Sequence, residues 1–63
     1  MIKPDQTWNG ECPETGDAGN ALVINVCMGS VEVRFLNSGN VVTVDRDAMQ
    51  RGKNKWRLIS DVS

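Results

Sequence analysis

The residues best suited to chemistry in this chain are Arg51-Gly52-Lys53-Asn54-Lys55-Trp56-Arg57, where four cations surround one aromatic side chain. Mobile Lys and Arg side chains neutralise phosphates, and an aromatic ring offers a face on which a base can stack. With Arg34 and Arg46 in the same half of the chain, the stretch is a candidate nucleic-acid-binding surface. The same residues also describe a solvated basic turn with Trp56 folded into a core. A second candidate is acidic: Trp8, Glu11 and Glu14 lie in a segment that could dock on another protein.

Catalysis has fewer resources. The chain has no histidine, so the commonest general base is missing. Cys12 and Cys27 therefore have no imidazole to activate a thiolate, and two cysteines cannot complete a structural zinc site. Asp45 with Asp47 and Glu11 with Glu14 are carboxylate pairs, but they read as a helix cap and a polar loop. Gly16-x-x-Gly19 is followed neither by a helix pattern nor by the Lys-Ser/Thr that closes a phosphate loop. The expectation is a non-enzymatic protein with no cofactor and no metal, because so small a domain has little concave volume for an active site.

These candidates must be positioned by strands. In Val31–Val44, Val31, Val33 and Phe35 alternate with Glu32 and Arg34, the period of a strand with one wet face. Asn37-Ser38-Gly39-Asn40 is a turn cluster, and Val41, Val42 and Val44 resume a β-branched run. A tip at Ser38-Gly39 pairs Phe35 with Val42 and Val33 with Val44, which also sets Glu32 against Asp45. Ala21–Cys27 is the preceding strand. Its Leu22, Ile24 and Val26 share a face that the pattern assigns to the core, together with Val33, Phe35, Val42, Val44 and Met49. After Val44, Asp45 or Asp47 can cap a single helical turn near Asp47–Arg51, with Gly52 just past its end. Lys55–Ser60 is a last strand pairing back across the sheet.

Residues 1–20 hold both prolines and three glycines. They form either a flexible arm or a short strand at Gln6–Trp8 that docks Trp8 on the rest. The expected organisation is an N-terminal arm over 1–20, one β domain over 21–60 and a tail over 61–63. A chain of 63 residues has room for one small core. Formal net charge is −1, which argues against a dedicated nucleic-acid binder. The charge is unevenly spread, acidic before residue 30 and basic after it. No apolar run follows Ile2-Lys3-Pro4-Asp5, and Ala21–Ile24 is far too short to span a bilayer. A cytoplasmic protein with two free thiols and no membrane contact is expected.

Three meander strands, one helical turn and a closing strand are the layout of a small antiparallel SH3-like barrel. Val33-x-Phe35-x-x-x-Gly39-Asn40-x-x-x-Val44-x-x-x-x-Met49 resembles the central hairpin of Tudor domains. The segment from Val31 to Lys55, closed by Arg51-Gly52-Lys53-Asn54-Lys55, is also similar to a short Val/Phe hairpin repeat common in bacteriophage proteins, including segments beside homing-endonuclease domains. Tudor domains hold methylated Arg or Lys in an aromatic cage by cation–π attraction. The turn position usually aromatic there is Ser38 here, and the chain has no tyrosine, so the resemblance implies the fold rather than the cage. It leaves two functional expectations. One is a nucleic-acid-binding accessory module acting through 51–57. The other is a phage-type regulator or inhibitor that binds a host protein through a strand edge or its acidic N-terminal arm.

Overall fold

The computed structural model describes residues 1–61; the last two residues of the expected tail lie outside them. Five strands run in chain order: β1 Thr7–Cys12, β2 Asp17–Val26, β3 Ser30–Phe35, β4 Val41–Asp45 and β5 Arg57–Ser60. The helix α1, Arg46–Gln50, and a 3₁₀ turn, Lys53–Lys55, lie between β4 and β5. All pairings are antiparallel and make one sheet in the order β4-β3-β2-β1-β5. The sheet is not closed: among the described residues β4 and β5 are its two edges, and no ladder joins them.

The stretch 1–20 carries β1 and the start of β2. β1 pairs with β2 from Thr7–Leu22 to Cys12–Asp17, and the division expected after residue 20 falls inside β2. The ladder extends further toward the N-terminus through Val23 N–H to the Gln6 carbonyl and Asp5 N–H to the Val23 carbonyl. Gln6 then ties the ends of the chain together. Its Nε2 donates to the Met1 carbonyl (3.1 Å) and to Asp61 Oδ1 (2.8 Å), and its Oε1 accepts from Lys3 N–H and from Trp8 Nε1, both at 2.9 Å. The side chain is fully buried with every polar valence used, which is the condition for keeping an amide in a core.

The hairpin β3–β4 keeps its expected faces but not its expected register. Val33 pairs with Val42 and Val31 with Val44, two residues away from the tight-turn register. A shift of two returns every side chain to the same face. The cause is a longer loop: Phe35 N–H donates to the Asn40 carbonyl and Gly39 N–H, at φ +77°, to the Phe35 carbonyl. The loop's polar side chains turn onto β2. Asn37 Nδ2 reaches the Ala18 carbonyl, while Ser38 Oγ and Asn40 Nδ2 both reach Asp17, each at 3.1 Å. The shift also removes the expected Glu32–Asp45 clash, since Glu32 now faces Thr43 and Asp45 faces Ser30.

In β2 the expected inner face is reversed over its middle. Ala21 and Val23 are buried, whereas Leu22 is half-buried and Ile24 is 40% exposed. Cross-strand partners share a face, and Val23 pairs with the inward Val33. A bulge between Val23 and Asn25 then inserts one residue, so that Val26 returns to the inner side opposite Val31. The helical turn follows its caps. Asp45 Oδ1 accepts from Asp47 and Ala48 N–H at 2.9 and 3.2 Å, Gly52 adopts φ +82° past the end, and Met49 is fully buried.

The core joins Phe35, Met49, Val23, Val31, Val33 and Val42 to both tryptophans. Trp56 lies directly on β1 at Gly10, where a Cβ would sit 2.2 Å from its Cδ2. On its other side it meets Phe35 with ring centroids 5.9 Å apart and a 41° tilt.

Gly10→Ala therefore forces the indole off β1 and is expected to cost about 3 kcal/mol or more, comparable with the loss from Phe35→Ala of about 3–5 kcal/mol. Gly29→Ala, where a Cβ meets open space, serves as the control. Urea unfolding of the three variants checks the order; a Gly10→Ala protein as stable as the Gly29→Ala control overturns the packing.

Asp17 generates a second expectation. Its Thr15 hydroxyl partner is the main reason its carboxyl sits below the ordinary 3.8; partial desolvation opposes, and Asn40 and Ser38 add to the lowering. A depressed folded value means that the loop tie is present above the unfolded value and is lost as pH falls through the folded one. Carboxyl NMR titration should place the Asp17 midpoint under 3.8, and Thr15→Val should move it upward.

Candidate binding groove

The residues of the basic stretch are spread over the end of α1, the 3₁₀ turn and β5. Arg51 Nε, just past the end of α1, is ion-paired to Asp47 Oδ2 at 3.0 Å, both groups exposed, a pairing that adds little. Lys55 Nζ crosses to Glu11 Oε1 on β1 at 3.3 Å. Lys53 is exposed on the 3₁₀ turn, and Arg57 lies on the edge strand β5 opposite Asn9. Arg34 is on the outward face of β3, between Leu22 and Val41. Arg46 opens α1, with its Nη1 3.3 Å from the Cys27 carbonyl. Trp56, the aromatic of this set, is only 4% exposed, so its faces are committed to Gly10 and Phe35 and no base can stack on it. Trp8 is likewise buried, with its Nε1 held by Gln6.

The two acidic candidates fare differently. Glu11 and Glu14 both line a groove of about 210 Å³ between the β1–β2 turn and the α1–3₁₀ segment. Cys12, Val44, Met49 and Trp56 supply its apolar lining, and Asp45 and Lys53 stand across from the turn. Local sequence explains why the groove exists. Pro13 and Gly16 turn β1 into β2, with Gly16 at φ +80° and its N–H on the Cys12 carbonyl. The opposite wall is shaped by Gly52, Asn54 and Lys55, all at positive φ, which bend the chain sharply before Trp56. For non-glycine residues that conformation is costly and persists only where packing over-determines it; here the buried Trp56 does so.

The groove's carboxylates are spread over separate elements. Among the described residues no group of three or more His, Cys, Asp or Glu side chains is placed to hold a metal ion. Nor is any helix there long and apolar enough to cross a membrane. What the arrangement can do is seat an apolar stem along Val44 and Ala48, both half-buried, while a charged group meets the rim. Sequence reading missed the groove because its floor is made by residues far apart in the chain, Cys12, Val44 and Trp56. Only the acidic pair Glu11 and Glu14 signalled it.

Cys12 and Cys27 are both free thiols, the first buried at the groove floor and the second exposed in the β2–β3 connection. A thiol reagent should therefore label one site rapidly in the native protein, at Cys27, with Cys12 reacting only on the timescale of opening. Peptide mapping after a short pulse checks this, and rapid labelling of Cys12 would show that the groove floor is open.

Comparison with protein-family models, with curated proteins and with solved structures found no match to this chain.

Proposed function

We propose that the chain is a small, non-enzymatic protein-binding module of SH3-like architecture that takes a segment of its partner in the groove between the β1–β2 turn and α1. The strand order, with β1 between β2 and β5 and a helical turn before β5, supports the SH3-like assignment. The observation that carries the binding reading is the groove itself: half-buried Val44 and Ala48 beside a rim holding Glu11, Glu14 and Asp45. Such a surface repels a phosphate backbone and accepts a polypeptide. A free edge adds a second docking mode of the same class. β5 exposes Leu58 at 43% and Ile59 at 46% beside unpaired main-chain groups, which is what strand addition uses.

The competing reading keeps nucleic acid as the partner through Lys53, Arg57 and Arg34. The two are separated by binding measurements on one protein. Peptides selected from a displayed random library should shift the amides of Glu14, Ala48 and Asn54 at a Kd of about 10–100 μM, modest as expected for a small contact. Ala48→Trp, which fills the groove from α1, should abolish those shifts. Single-stranded oligonucleotides should leave the spectrum unchanged at 50 mM salt. If instead an oligonucleotide binds with a steep salt dependence that Lys53→Ala makes shallower, the groove reading is lost.

A further inference from the structure

Granting that the groove docks a protein, we infer that its occupant is an extended segment bearing a lysine or arginine, whose apolar stem lies along the half-buried Val44 and Ala48 and whose cation meets the Glu14 carboxylate. Charge supplies the first argument. Glu11, Glu14 and Asp45 face the groove against Lys53, and Lys55 pairs with Glu11 at its rim, so three carboxylates meet two cations and the excess negative charge favours a positive guest. The protein already demonstrates the preference: the Lys55 ammonium sits 3.3 Å from Glu11 at the same rim, in an exposed pair that exchanges readily.

Geometry supplies the second. The carboxylates do not converge on one point, so a bare cation is not the guest. Glu11 and Glu14 belong to the β1–β2 side and Asp45 to the opposite wall, with apolar side chains between them. A long side chain with an aliphatic stem and a charged head matches that spacing of apolar and acidic surface. Asp45 spends Oδ1 on both helix-cap bonds, which leaves Oδ2 for an incoming donor.

The wall favours the same guest. Thr43, Val44 and Asp45 line the groove and belong to β4, a free edge of the sheet. An extended guest can therefore add its main chain to β4 while its basic side chain reaches across the floor.

The test uses the intact protein and three synthetic ten-residue peptides of one Val/Leu/Gly framework, carrying two Lys, two Gln or two Glu at the same positions. Binding is read from the Trp56 indole N–H and the Ala48 and Glu14 amides by NMR. The Lys peptide should bind about fivefold more tightly than the Gln peptide, and the Glu peptide least of all. Raising salt from 50 to 300 mM should remove most of that preference. Glu14→Gln, on an exposed turn and harmless to folding, should weaken the Lys peptide about threefold and leave the Gln peptide unchanged. Lys53→Glu should tighten the Lys peptide. If the Gln or Glu peptide shifts the same groove residues with equal affinity, the cation inference is overturned while groove docking survives. If none of the three moves the groove residues, the docking reading falls and takes the inference with it.

Discussion

The fold depends on one close approach, the indole of Trp56 lying on the bare backbone of Gly10. A β1 residue with any side chain would occupy the space that the six-membered ring fills. With that space open, Trp56 covers β1, meets Phe35 from β3, and brings the 3₁₀ turn round so that β5 pairs alongside β1. The positive φ of Gly52, Asn54 and Lys55 follows from the same constraint. The chain leaves α1, has very few residues in which to reverse, and must deliver a large aromatic to a fixed place. Local backbone cost is offset by burial of that ring, worth on the order of 25 cal/mol for each Å² removed from water. The groove is a by-product of this delivery, because the reversing segment stands off the β1–β2 turn and leaves the floor between them.

A second constraint acts at the opposite end of β1. Gln6 is an uncharged residue carrying two donors and two acceptor positions into a buried site, and all of them are met by the protein. An amide is suited to this task where a carboxylate or an ammonium is not, since either charge would need a buried counter-ion. Trp8 is oriented by the same oxygen that accepts from Lys3 N–H. The two tryptophans thus have different anchors, one polar and one steric, and both are spent on structure rather than on a ligand.

Much of the architecture was legible in the residues. The alternation of Val31, Val33 and Phe35 gave the correct inner face, and Asp45 and Gly52 bracketed the helical turn near its observed limits. The inner face of β2 was not legible, because Leu22, Val23, Ile24 and Val26 are apolar on both sides and only the pairing with Val33 decides between them. The bulge that returns Val26 to the core has no glycine or proline to announce it. The hairpin register slipped by two because the turn cluster Asn37–Asn40 is held by Asp17, a residue of another strand, and local turn preferences carry no information about that tie. Trp56 sits among cations in sequence and among apolar atoms in space. The difference is Gly10, distant in the chain, whose role appears only once β1 lies beneath the ring.

Gln6 also determines how the molecule responds to tension. Its amide nitrogen holds the Met1 carbonyl and the Asp61 carboxylate at once, so the entry and exit of the described chain lie at the same corner. β1 begins there at Thr7 and β5 finishes there at Ser60, paired with each other in opposite directions. Force applied between residues 1 and 61 loads that ladder at one end and opens it bond by bond, as a zipper opens, instead of shearing all its bonds together. The Gln6 bridge is the first connection in the line of force. A partner or neighbouring domain that pulls on the two ends meets a single side-chain amide before it meets the sheet.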